Sequence, residues 1–355
     1  MISTLKARRL RVFAVLATVS AATLLGAFQA APSHPTLADA LPTSPIVAPP
    51  IRLPAAVLDA ASIYIAYVDR AASINPAFTD GPSVQNSLRS AEAYESKQMQ
   101  KGITAYAAIV ALQEPSFVAA VRKFGQDPTQ RRQVTDALVA DPRYAIAFDG
   151  ADKAAGLAEA ALTGQAQRIL DTGAKMKQEA YDMQHQKWST ATVVDRDARL
   201  ALAKSLSETP LTPDADAETR MQLASNGTTP LIVSGSADAG PYTPTVTRAL
   251  AVAAMAALGS GGEEFSDQLN ALLEEPDASE CLHEAKLNLY ECLAVAKPHY
   301  EDVFCLGQHV LNDTGQCIIR GAVPHVAPKL TPVADVKPAP AKKGVSHKKK
   351  RKAKS

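Results

Sequence analysis

The sequence predicts an all-α protein, with a helical domain, a disulfide-stapled C-terminal helical hairpin, and disordered linkers and tail. Three observations lead there. From Ala55 onward apolar residues recur every three or four positions, the period of one helix face. Alternating apolar residues are missing, and Thr229 to Val233 is the only brief β-like patch. All four cysteines of the 355 residues lie within 37 positions, Cys281 to Cys317.

The chain opens with Lys6, Arg8, Arg9 and Arg11, followed by an uncharged stretch from Val12 to Ala31. A basic cap before an apolar run is the pattern of a secretory signal, so residues 1–31 are expected to be a signal peptide or, if uncleaved, a membrane anchor. Residues 32–54 hold seven prolines and read as an extended linker.

Helical periodicity then sets in. Val57 to Ser73 is the first helix, ended by Asn75-Pro76. Asp80-Gly81-Pro82-Ser83 is a helix start, and Val84, Leu88, Ala91, Met99, Ile103, Tyr106 and Val110 form one stripe running to Gln113, with Gly102 a possible bend. Pro115 to Phe124 and Pro128 to Ala140 each follow an acidic residue that suits the positive end of a helix. Asp149 to Trp188 is the longest periodic stretch, interrupted by Gly156, Gly164 and Gly173. Val193 to Leu206 closes a helical domain over residues 55–207, a suitable size for one core.

Residues 208–243, rich in Pro, Asp, Gly, Ser and Thr, read as a second linker. Region 244–321 begins with the alanine-rich helix Thr245 to Leu258, whose uncharged part is too short to cross a membrane, and continues with Glu263 to Glu275.

The cysteines follow. Ten, twelve and eleven residues separate them in order, and Ala296-Lys297-Pro298 breaks the chain between the inner pair. If the two arms fold back on each other, facing positions have nearly constant index sums; Cys292 with Cys305 gives 597 and Cys281 with Cys317 gives 598. Eleven and twelve helical residues rise about 16 and 18 Å, which sets the cysteines level. Nested bridges Cys292–Cys305 and Cys281–Cys317 are therefore preferred among the three connectivities. The second arm fits less well, since Gly307 lies inside it and Asn312 to Gly315 resembles a helix end that leaves Cys317 beyond it. His283, His299 and His309 lie nearby, but no C-x₂-C pair supports zinc and no C-x-x-C supports a redox dithiol.

Other chemistry finds little footing. There is no G-x-S-x-G and no phosphate-binding loop, so neither a catalytic residue nor a cofactor or metal is assigned. Glu263-Glu264 and Glu274-Glu275 are adjacent in sequence, which on a helix points them apart. His185 and Trp188 lie one turn apart, at a helix end.

Charge is split along the chain. The net charge of +1 conceals +9 in Lys329 to Ser355 and +4 in the first eleven residues, leaving −12 between them. Residues 322–355 are expected to be a disordered basic tail. Lys342, Lys343, Lys348, Lys349, Lys350, Arg351, Lys352 and Lys354 would bind a polyanion, an anionic envelope surface of lipid or polysaccharide. Without interleaved aromatic residues the tail has no stacking platform, which disfavours nucleic acid.

At Leu287 to Ala296, at His299 to Cys305, at Asp313 to Cys317, at Tyr144 to Gly150 and at Gln184 to Trp188, the chain resembles uncharacterised exported proteins of alphaproteobacteria. That resemblance implies export and carries no activity or functional residue. The nested hairpin also looks like twin C-x₉-C hairpins, from which its spacings of ten and eleven depart. The expected function is that of a non-enzymatic envelope protein with an unknown protein partner. The alternative is a helical envelope hydrolase or lytic enzyme using a glutamate acid that the sequence does not single out.

Overall fold

The computed structural model describes residues 49–324, all helix and connecting segments; among them there is no strand, only an isolated bridge between Thr192 and Pro298. Both residues 1–31, the expected signal or anchor, and Lys342 to Lys354 lie outside the described residues. The first half of the body comprises α1 (Ala55–Ala72), α2 (Gly81–Glu92), α3 (Ser96–Ala111), α4 (Pro115–Gly125), α5 (Pro128–Ala140), α6 (Ala151–Asp182) and α7 (Arg196–Glu208). Then come α8 (Ala215–Ser225), α9 (Pro244–Leu258), α10 (Ser266–Leu273), α11 (Pro276–Val295), α12 (His299–Cys305) and α13 (Asp313–Ala322).

The helix starts are written in the sequence. Asp80, Glu114, Asp127 and Glu275 each accept backbone N–H groups from the first turn they precede, and each has proline at the first or second helical position. Carboxylate and fixed φ together satisfy donors that have no partner within the helix.

The stripe from Val84 to Val110 is two helices rather than one. Tyr94 turns into the core, where it is 1% exposed, and Glu95 caps α3 afresh by accepting from Lys97 and Gln98. Gly102 is no bend. A Cβ there would meet the Ala60 carbonyl oxygen at 2.6 Å, so its role is to let α1 and α3 touch backbone to backbone. Conversely α6 runs unbroken through its three glycines for 32 residues.

The described parts of the two expected linkers are packed; residues 32–48 of the first lie outside the described residues. In residues 49–54, Leu53 is buried and Pro49 lies against Gly259. In 208–243, α8 buries Ala217, Met221 and Ala224. Glutamines of α3 then satisfy the irregular backbone on either side. Gln98 bonds both N–H and C=O of Leu211 (2.8 and 2.9 Å), and Gln113 bonds the Leu231 N–H and the Ala224 carbonyl (3.0 and 3.1 Å). This also explains the β-like patch, whose backbone pairs with a side-chain amide and not with a strand.

The expected division at 207/244 is likewise absent. Every residue of α9 from Ala249 to Leu258 is fully buried, against α3, α4, α5 and α6. Its alanines admit neighbours on all sides, so a helix assigned by sequence to the second region is the centre of a shared core. Among the described residues no single helix is long and apolar enough to cross a membrane.

Candidate functional site

The C-terminal arms carry the disulfides. The structure pairs Cys281 with Cys317 (Cα–Cα 5.7 Å) and Cys292 with Cys305 (5.8 Å), the nested arrangement, and there are no free cysteines. The second arm is helical past the expected stop. Leu306–Asn312 forms a π-helical segment between α12 and α13, and Asp313 is held by Gln308 and His309, so Cys317 sits inside α13. Gly307 fits because its face lies against the Gly173 carbonyl and Met176 of α6. Disulfide-bonded pairs suit an oxidising, non-cytoplasmic compartment.

Where α11 and α12 meet the body, the seam is ionic and buried. Asp302, 0% exposed, pairs with Arg199 of α7 and accepts from the Gln85 side chain of α2 at 2.6 Å. Arg199 also donates to the Leu293 carbonyl near the end of α11. Burial raises the Asp302 pKa, and Arg199 offsets part of that. One turn along α11 from Leu282 and Leu289, Lys286 donates to the Glu92 carbonyl and lies over the Tyr94 ring, 3.3 Å from its centroid. Burial pulls its ammonium well below the ordinary lysine range, opposed by Glu92. Burial likewise raises Glu92 to about 7, with Lys286 and Arg89 pulling the other way. The Tyr94 hydroxyl bonds Thr314 of α13 at 2.8 Å, joining both arms to this seam.

A second buried carboxyl lies on α6. Glu159 is raised to about 8, first by burial and then by a hydrogen bond to the Asp238 carboxylate and its charge. Asp238 belongs to the segment 226–243, which straps across α6. The Ser236 carbonyl occupies the space a Gly156 side chain would need, and the Asp238 N–H bonds the Asp152 carbonyl at 3.0 Å.

The structure thus offers two buried glutamates of elevated pKa, the feature an acid catalyst would need. Neither borders any of the five cavities described among residues 49–324. The cavities of about 710, 530, 420, 340 and 230 Å³ are walled by other residues, and Lys286 borders the largest with its amine turned to Tyr94. The geometry sets Glu92 against Lys286 of α11 and Glu159 against Asp238, each at a contact between separate segments of the chain.

The remaining sequence candidates have structural partners. Glu263 accepts from the Ala55 N–H and caps α1; Glu274 pairs with Lys101 at 3.0 Å, and Glu275 caps α11. Trp188 faces His299, not His185, with ring centroids 6.2 Å apart. His309 bonds Asp313, and among the described residues no group of three or more His, Cys, Asp or Glu side chains could hold a metal.

Sequence reasoning missed Lys286, Glu92, Arg199, Asp302 and Glu159. For two of them the signal was present. Lys286 is in register with Leu282, Leu289 and Leu293, and Glu159 with Ala155, Leu162 and Ala166. A charge on the apolar stripe of a helix is buried with it.

No family model, curated protein sequence or solved structure matches this chain.

Proposed function

We propose that the chain is an exported, disulfide-braced helical protein that holds an anionic surface of the cell envelope, lipid or polysaccharide, through its basic C-terminal segment. The observation carrying this is the charge split, +9 in Lys329 to Ser355 against −12 in residues 12–328. Cations near an anionic surface contribute about 1 kcal/mol each, so the eight at positions 342–354 suffice for retention at low salt, and screening removes that attraction as salt rises. The body has a bracing role, for which two disulfides and a buried ionic seam are suited. Export rests on the basic cap and apolar run at the N-terminus.

Deleting Lys337 to Ser355 tests the reading. The truncated chain should leave envelope fractions at low salt while the full chain stays until salt is raised. Anionic vesicles and acidic polysaccharide, offered separately, identify the surface. Equal retention of both chains on every surface refutes the proposal.

A further inference from the structure

The two disulfides sit in unlike surroundings. The inner one, Cys292–Cys305, borders an apolar cavity of about 230 Å³ with Tyr181, Val295, Tyr300 and Phe304 on its walls. The outer one, Cys281–Cys317, borders a groove of about 530 Å³ whose rim carries Glu280, Glu284 and Arg320. The exposed Arg320 guanidinium donates toward Cys281 Sγ at 3.8 Å. Among the described residues Arg320 makes no ion pair with a carboxylate, although four border the same groove.

A cation beside a sulfur stabilises its thiolate, and a better-stabilised thiolate leaves faster in exchange. The apolar cavity does the reverse, because both the incoming and the departing thiolate would lose water there without a counter-charge. We propose that Cys281–Cys317 is a thiol–disulfide exchange site, selective over Cys292–Cys305, that takes a neutral or positively charged dithiol. This goes beyond surface binding and is independent of it.

The step balances as follows. A thiolate of the dithiol bonds Cys317 Sγ, the Cys281–Cys317 bond breaks, and its electron pair leaves on Cys281 Sγ beside Arg320, later taking a proton from water. The second thiol of the reagent loses its proton and attacks the reagent's own sulfur in the mixed disulfide, releasing the Cys317 thiolate. The dithiol is oxidised by two electrons and the protein disulfide reduced by two. The product has α13 untied from the second turn of α11, with the inner bridge still closing the hairpin. The carboxylates at the rim repel a reagent that carries a further anionic group besides its attacking thiolate, which sets the preferred charge of the reagent.

The test uses the oxidised full-length chain under native conditions. Limiting dithiothreitol is added, samples are acid-quenched at intervals, and free thiols are alkylated and mapped by peptide mass. Cys281 and Cys317 should appear at least tenfold faster than Cys292 and Cys305. Arg320→Ala should slow the outer pair by roughly three- to tenfold, and Arg320→Lys should restore most of the rate. Cysteamine should outpace 2-mercaptoethanesulfonate at equal thiolate concentration. Inner-bond reduction first, equal rates for the two bonds, or an Arg320→Ala rate equal to that of the native chain would overturn the proposal. Since Arg320 is exposed and Arg320→Lys keeps its charge, a folding defect in the alanine variant leaves the lysine variant and the two monothiols to decide.

Discussion

Glu159 gives the sharpest test of the energetics, because a single isosteric change separates its proton from its shape. In the folded chain its pKa is raised from an ordinary 4.5 to about 8, by burial and by the Asp238 carboxylate. Between those values the folded state holds a proton that the unfolded state has released. Stability is therefore complete below about 4.5, falls as pH rises through the window, and levels off above about 8. At pH 7 the cost of retaining the proton is at most about 3.4 kcal/mol, and at pH 5 under about 1 kcal/mol, taking 1.36 kcal/mol per pH unit. Glu159→Gln keeps the side-chain volume and still donates to Asp238, but without that cost. The variant should be the more stable protein, by a margin that widens with pH. Urea unfolding of both proteins at pH 5, 6, 7 and 8 measures it. With a slope near 3 kcal/mol per M, the midpoints should differ by about 0.2 M at pH 5 and about 1 M at pH 7. Taking the difference between the two proteins removes the contributions of Glu92 and Lys286, which both share. A margin independent of pH, or a variant less stable throughout, would refute the reading that the folded chain keeps Glu159 protonated against Asp238.

Two further outcomes bear on the C-terminal arms. With partners 36 and 13 positions apart in sequence, chain entropy assigns about 4 kcal/mol to the Cys281–Cys317 bridge and about 3 kcal/mol to Cys292–Cys305, so the double alanine variant of the outer pair should unfold at lower denaturant than that of the inner pair. The opposite order would place the inner bridge's contribution in native packing. Asp302→Ala strands the Arg199 charge in the interior and should cost about 3–5 kcal/mol, whereas Asp302→Asn keeps an acceptor and should cost less; equal thermal melting of the two variants would refute the charge argument.

Helix starts and the cysteine geometry were legible in the sequence because each depends on a few local residues. Asp127-Pro128 opens α5 by capping alone, and the level spacing of the cysteines follows from helix rise. The errors came where long-range partners decide. Nothing near Gln98 or Gln113 announces that their amides will pair with Leu211 and Leu231, so the segment they hold looked like a linker. Likewise an alanine-rich helix such as α9 reads as a modest local element, because small side chains advertise close approach only once neighbours are present. The break at Tyr94 escaped notice since Val84 to Val110 keeps its period across two helices. Of the candidate site residues, the four cysteines were read from spacing, whereas Arg199 and Asp302 had no local signal; the cations from Lys342 to Lys354 lie outside the described residues.

The buried ionic seam raises the question of why apolar residues do not occupy it, since a well-packed apolar replacement is often as stable as a buried ion pair. The position of Arg199 supplies the reason. Its guanidinium reaches the Leu293 and Ala296 carbonyls as well as Asp302, while the neighbouring Arg196 reaches those of Ala294 and Ala296. These are carbonyls at the C-terminal end of α11 and the turn after it, several of which have no partner within the helix. The chain must turn there within three residues to begin α12, leaving no room for a capping motif built from its own backbone. An apolar side chain at position 199 would fill the space yet abandon the Leu293 carbonyl. The arginine is thus required by the turn, and Asp302, four residues into α12, is required by the arginine. The same pair therefore helps fix where the hairpin bends and which face it presents to α2 and α7, next to the turn that sets Cys292 level with Cys305.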